Sequence, residues 1–310
     1  MEYQKKVISI ILPSYNDCEI IGPYHKAITD LLVSQDRYDW ELIYVDDGST
    51  DGSVEFLKEL ASVDTKMISI ELSRNFGQQK ALFCGMDESR GDIVITLDGD
   101  FQYPPEVIMQ LSDKMSEGYD IVSGVRLDRN DPFLDRLFSA IGQYFVNHAI
   151  SRKLSDFGAV KAFSRFVIDN ILKNKMFTTQ VYGLAYNITN NYTEIPVKHL
   201  KRYMGKSKWS LFQRLEMYLE LFLLFGEINL KPIFMLSCLM ISIGVGYVLT
   251  VIAIRLLFDY QLSSGMGGMI LASTGITIFC ITVMANITLK IYKSISYKEF
   301  IIVRSRVGKK

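Results

Sequence analysis

The chain has no net charge to offer a polyanion: 34 Lys and Arg residues balance 34 Asp and Glu over 310 residues, and mean hydropathy is only +0.15. Without a basic excess, no nucleic-acid partner is expected. An apolar content of 49% excludes a disordered chain. The four cysteines, Cys18, Cys84, Cys238 and Cys280, lack metal-ligand spacing, and two lie in apolar runs. Neither a zinc site nor a disulfide framework is expected, which points to a reducing compartment. No signal peptide is expected either. Lys5 and Lys6 precede a short apolar run, Val7 to Leu12, and Pro13-Ser14-Tyr15-Asn16 is no small-residue cleavage site. That run reads as a first buried strand.

Charge is also missing locally. The 57 residues from Ile233 to Leu289 hold only Arg255 and Asp259. Within them Ile233 to Ile254 and Met266 to Leu289 are uncharged. At about 1.5 Å per residue these runs span roughly 33 and 36 Å, enough for a hydrocarbon core of about 30 Å. Glycines 244, 246, 267, 268 and 275 suit close helix packing in lipid. A pair of buried core helices is the plainer reading; the short connection favours a transmembrane hairpin. Residues 290–310 carry seven basic side chains against Glu299, and Lys208, Arg214 and Lys231 precede the first run. The positive-inside rule then puts the polar part and both termini in the cytoplasm. The tail, 291–310, either rests on anionic head groups or serves as a solvated topogenic segment. Residues 211–231 form either an amphipathic interfacial helix or a linker helix packed on the soluble part.

The first 210 residues alternate β-rich runs (7–12, 41–45, 67–72, 92–97) with helix-like stretches (19–33, 53–61, 78–89). This predicts an α/β domain with a mostly parallel, Rossmann-like sheet. Such sheets bind ligands beyond the carboxyl ends of their strands. Four successive strand ends are followed by Pro13-Ser14-Tyr15-Asn16-Asp17, by Asp46-Asp47-Gly48-Ser49, by Ser73-Arg74-Asn75-Phe76-Gly77 and by Asp98-Gly99-Asp100-Phe101-Gln102. Each alone passes for turn punctuation. Together they mark a site.

Asp98 and Asp100, one residue apart, suit a single hard cation, with Gln102 adding an amide oxygen. Mg2+ or Mn2+ held in this way keeps positions open for diphosphate oxygens. Asp46 and Asp47 suit hydrogen bonds from a base edge or ribose hydroxyls. Arg74 offers a planar guanidinium to phosphate or base. Lys80 follows on the next helix, where a surface ion pair explains it as well.

With SRNFGQQKAL, TLDGDFQYPPEVI, DIVSGVRLDRND at 120–131, SDFGAVKAFSR at 155–165 and IPVKHLKRYMGKSKWS at 195–210, the chain resembles the family 2 glycosyltransferases of GT-A fold. Among these it is most similar to the polyprenyl-phosphate enzymes, such as the undecaprenyl-phosphate 4-deoxy-4-formamido-arabinose, bactoprenol glucosyl and dolichol-phosphate mannose transferases. Asp98-Gly99-Asp100-Phe101 stands where Asp-Ala-Asp-Leu is more usual, with the acidic pair kept. The resemblance implies a membrane enzyme that moves one sugar, with inversion, from a nucleotide-diphosphate donor to undecaprenyl phosphate, for cell-envelope glycan or lipid A modification. It places Pro13, Tyr15, Asn16, Asp46, Asp47, Arg74, Lys80, Asp98 and Gly99 at the nucleotide sugar. Asp98, Asp100 and Gln102 serve the metal. Asp156, Asp100, Arg126 and Arg129 surround the reaction. Arg202, Ser207 and Lys208 meet the acceptor phosphate, although positive-inside topology alone also explains Arg202 and Lys208. A homo-oligomer, a tetramer, is the implied assembly.

A lipid monophosphate already offers an anionic oxygen near neutral pH, so Asp156 serves either as a base or as an orienting group. Two other readings remain. A processive polysaccharide synthase calls for a QxxRW motif and further membrane helices, and neither is evident. A non-catalytic nucleotide-sugar-binding scaffold would have no need of the intact Arg74, Asp98, Asp100 and Asp156.

Overall fold

Short contiguous runs rich in Ile, Val and Leu suit strands covered on both faces, and the first hundred residues have four of them. The computed structural model describes residues 5–126, 142–144, 146–147, 153–157, 160–173, 180–200, 231–258, 266–294 and 303–308. Its elements are β1 (Val7–Ser14), α1 (Cys18–Ser34), β2 (Asp39–Asp46), α2 (Ser53–Val63), β3 (Met67–Leu72), α3 (Gln78–Glu88), β4 (Ile93–Thr96), α4 (Glu106–Met115) and β5 (Ile121–Arg126). There follow β6 (Lys161–Ser164), α5 (Arg165–Lys173), α6 (Val181–Ile188), β7 (Tyr192–Val197), α7 (Lys231–Phe258), α8 (Met266–Ser294) and β8 (Val303–Val307).

The strands form one sheet in the order β7-β5-β6-β4-β1-β2-β3-β8. Four neighbouring pairs run parallel (β1–β2, β1–β4, β2–β3, β5–β7), while β6 lies antiparallel to both β4 and β5. The sheet is mixed and mostly parallel, as expected. Each face carries a core. Ile8, Ile10, Leu12, Leu42 and Tyr44 meet Leu57 of α2 and Val107, Ile108, Leu111 and Met115 of α4. Ile11, Ile43, Val45, Ile68 and Ile70 meet α3, α5 and α6 through Ala81, Leu82, Val167, Ile171 and Val181. α4 shows how local sequence sets this. Pro104-Pro105 precede its start, where a missing N–H costs nothing, and its apolar residues recur at helical spacing on one face.

By connectivity β1 leads to β2 on one side and has β4 on the other, so the chain reverses direction across the sheet between β1 and β4. The ends of those two strands open the crevice in which such folds bind ligands.

α7 and α8 belong to a second unit, Glu227–Ser296, distinct from Met1–Gly226 with Tyr297–Lys310. They contain 20- and 23-residue stretches of mean hydropathy 2.2 and 1.9, of which only 11% and 17% is buried. Buried core helices of a soluble domain would be mostly covered. Here Leu239, Leu256, Ile270, Ile281 and Met284 are exposed, an apolar surface suited to lipid. The two helices pack closely on each other: a Cβ on Gly244 would lie 2.6 Å from the Ala272 nitrogen.

One expectation is overturned. Residues 303–307, read as part of a free basic tail, form β8, antiparallel to β3 at the sheet edge. Val303-Arg304-Ser305-Arg306-Val307 alternates with period two, and its polar side chains find partners. Arg304 meets Glu71 at 3.3 Å, Arg306 meets Glu88 at 2.9 Å, and Ser305 Oγ donates to Glu71 at 2.8 Å. These two arginines pair with protein carboxylates. The four cysteines are free, as expected. The helix expected at 211–231 lies outside the described residues except for Lys231.

Candidate active site

The loops after β1, β2, β3 and β4 are tied to one another before any ligand is considered. Asn16, in the left-handed region at φ 51°, donates its N–H to Ser49 Oγ at 2.8 Å and accepts from the Thr50 N–H at 2.8 Å. Asp46 is fully buried and accepts from the Ser49 N–H (2.8 Å) and hydroxyl (2.5 Å). Asp47, also buried, accepts from the N–H groups of Phe76 (2.7 Å) and Gly77 (2.8 Å), joining the second loop to the third. Burial pushes both carboxyls up, and these hydrogen bonds oppose it. The oxygens expected to face a base or ribose are thus first engaged in shaping the loops. Gly48 permits the approach: its φ is +75°, and a Cβ there would lie 2.5 Å from the Arg74 carbonyl carbon. Arg74 is exposed, with its guanidinium 4.2 Å above the Phe76 ring, and Lys80 lies within electrostatic reach of Asp47.

The fourth loop holds the acidic pair. Gly99 sits against the first loop, where a Cβ would come within 2.6 Å of the Pro13 carbonyl oxygen. Asp98 accepts from Gln78 Nε2 at 2.7 Å, and Asp100 accepts from the Gln102 N–H at 3.2 Å. Phe101, at φ 59°, stacks on Tyr24 with ring centroids 4.3 Å apart. This strained residue turns the chain between the two acidic side chains and Gln102. Gln102 Nε2 contacts the Leu200 carbonyl at 3.4 Å, and its own carbonyl accepts from the Leu200 N–H at 2.7 Å. Burial and the neighbouring Asp100 push Asp98 up to about 7. Two half-buried carboxylates, near enough for the charge of Asp100 to raise Asp98, fit a hard divalent cation, which would relieve their repulsion.

Arg126, at the end of β5, grips Asp156 through two bonds: Nε to Oδ2 at 2.7 Å and a terminal nitrogen to Oδ1 at 3.0 Å. Asp156 is buried, and its loop is clamped from several directions. Gln143 Oε1 accepts from the Phe157 N–H at 3.0 Å, Asn147 brackets Leu154, and Glu194 on β7 accepts from the Ser155 N–H and hydroxyl. Arg126 and Asp98 feel each other's charge. Asp156, Arg126, Asp98, Asp100, Gln102, Asp46, Asp47, Asn16 and Arg74 therefore gather at the carboxyl ends of the strands. Arg129, Arg202, Ser207 and Lys208 lie outside the described residues. Sequence reasoning missed Gln78, Gln143, Glu194 and Lys161. Of these, Gln78 had a signal, as the first residue of a helix that follows a site loop.

The family model described as Glycosyl transferase family 2 matches residues 9–170. The undecaprenyl-phosphate 4-deoxy-4-formamido-L-arabinose transferase of Pseudomonas fluorescens (strain Pf0-1) is 34% identical over 258 residues, covering 83% of this chain and 76% of its own. The protein of the same name from Salmonella choleraesuis (strain SC-B67) is 34% identical over 253 residues, covering 81% and 76%. Among solved structures, glucosyl-3-phosphoglycerate synthase from Mycobacterium tuberculosis, in complex with Mn2+, uridine diphosphate and phosphoglyceric acid, superposes with a TM-score of 0.53 at 19% identity, covering 70% of this chain and 76% of that one. That likeness concerns the fold. With half of its length matched by the family model and with these relatives, the chain belongs to glycosyl transferase family 2.

Proposed function

We propose that the protein transfers a single sugar from a nucleotide-diphosphate donor to undecaprenyl phosphate, with inversion, at the cytoplasmic face of a bacterial inner membrane. One observation carries the reading: the acidic pair and the Arg126–Asp156 pair share one crevice in a chain that also holds two membrane-length apolar helices. The names of the relatives support the acceptor class. The site's loops hold the donor through Asn16, Asp46, Asp47, Arg74 and Gly99. Asp98, Asp100 and Gln102 would hold Mg2+ or Mn2+, which when bound neutralises charge on the departing diphosphate.

An oxygen of the lipid phosphate attacks the anomeric carbon. As that C–O bond forms, the bond to the diphosphate breaks and the nucleoside diphosphate leaves with the electron pair. A phosphate monoester whose second pKa is near 6 has no proton to surrender at neutral pH. A carboxylate gripped by a guanidinium is also a poor proton acceptor. The Arg126–Asp156 pair therefore supports an orienting role for Asp156, with Arg126 supplying positive charge beside the incoming phosphate. Arg129, Arg202, Ser207 and Lys208 complete the acceptor side of the proposal.

The hairpin orientation has support in the connectivity. The chain leaves the catalytic unit before Glu227 and rejoins it at Tyr297, as two crossings would allow. The basic flanks favour the cytoplasmic side for both ends.

Incubation of the purified protein with divalent metal, undecaprenyl phosphate and a panel of radiolabelled nucleotide sugars tests the reading. A lipid product bearing one sugar is expected. A polymer would instead indicate a processive synthase, and no product with any donor a binding scaffold.

A further inference from the structure

Lys161 begins β6 inside the sheet, between β5 and β4, with no surface open to solvent. Its Nζ donates to the Phe157 carbonyl at 2.7 Å. The ammonium lies 4.6 Å from the Tyr182 ring centre and 5.5 Å from that of Phe157. Burying an ammonium is costly unless its surroundings call for a cation. Here they do. Burial pulls its pKa down to about 8, while the charges of Asp156, Glu194 and Asp98 hold the proton in place against that of Arg126.

The contacts link two carboxylates. Phe157 follows Asp156, and it is pinned on both sides, its N–H by Gln143 and its carbonyl by Lys161. Tyr182, whose ring faces the ammonium, shares a hydrogen bond with Thr96 Oγ1 at 3.1 Å. Thr96 ends β4, two residues before Asp98. Lys161 thus sits beneath both the acidic end of β4 and the Asp156 loop.

We propose that Lys161 is a positioning residue for sugar transfer, its ammonium fixing the Phe157 carbonyl so that Asp156 meets Arg126 in one geometry. The proposal rests on the transferase reading above. Its test compares the wild-type chain with K161M and K161R, measuring glycolipid turnover at saturating donor, affinity for nucleoside diphosphate with metal by calorimetry, and melting temperature. K161M is expected to lose about 10- to 100-fold in kcat, the usual cost of removing a group that orients a reacting side chain, with nucleotide affinity within about twofold of wild type. K161R, which restores donor and charge, is expected to regain at least about a tenth of wild-type turnover.

Turnover of K161M within about threefold of wild type overturns the proposal. A K161M variant whose melting temperature and nucleotide affinity fall together overturns it too, because that pattern marks a packing role. K161R that melts like the wild type yet turns over no faster than K161M overturns it independently. No glycolipid from the wild-type chain overturns the transferase reading and this one with it; glycolipid from wild type and K161M alike removes only the role of Lys161.

Discussion

Asp98 and Asp100 do different work within one short loop. Asp98 is held by Gln78 in a poorly hydrated position, while Asp100 turns the chain toward Gln102. Asp100→Asn keeps the turn-closing oxygen but removes the charge. It is expected to lower metal-dependent product formation by at least about 100-fold, with little change in melting temperature; full activity would sink the metal assignment. Lys161 predicts a pH signature. Its neighbours from the packed elements are Asp98, Arg126, Asp156, Glu194 and the Tyr182 ring, and with a pKa of about 8 its charge is lost as pH rises through that value. Turnover should fall above pH of about 8, a limb that K161M should lack. Stability moves the other way. Between about 8 and the unfolded value near 10.5 the unfolded chain binds one more proton than the folded one, so stability rises with pH across that window. A pH titration of turnover beside thermal melting separates the two effects.

Among the elements, the four loops depend on strand ends fixed by the sheet, and Asp47 is the tie between two of them. Asp47→Ala would leave the Phe76 and Gly77 N–H groups without their acceptor, at a cost of about 1–3 kcal/mol, and should weaken nucleotide binding through the loop that carries Arg74. Calorimetric titration with nucleoside diphosphate checks it. β8 is tested by charge reversal. R304E together with R306E sets like charges against Glu71 and Glu88, and should cost about 1–2 kcal/mol, or roughly 2–8 °C in melting temperature, with faster amide exchange at Ile70 and Leu72. The contrast between β1 and β8 shows what the sequence reveals. Ile8 to Leu12 are all buried, so the run announces itself. β8 carries two arginines in five residues, and its partner strand lies more than two hundred residues earlier, so it reads as a tail. The site follows the same division. Residues that directly follow a strand were legible from position, whereas Lys161 and Glu194 matter through pairings that span distant segments.

At the scale of the whole chain, a polar catalytic unit and an apolar hairpin share one polypeptide, and the zero net charge averages over both. The proposed topology predicts that the 259–265 connection faces the far side of the membrane from the active site. In a chain whose four cysteines are replaced, S263C should react with a membrane-impermeant maleimide on intact cells, and S305C only after lysis; the reverse pattern would invert the orientation. β8 carries a further consequence for biosynthesis. The strand that covers the outer edge of β3 is translated after both hairpin helices, so in the proposed topology the catalytic sheet waits with an open edge while the nascent chain threads into the bilayer. Such an edge is a template for wrong pairing until its own strand arrives. That topology would couple completion of the enzyme to insertion: a hairpin that stops halfway would strand β8 on the wrong side, and the loop after β3 would lose its brace.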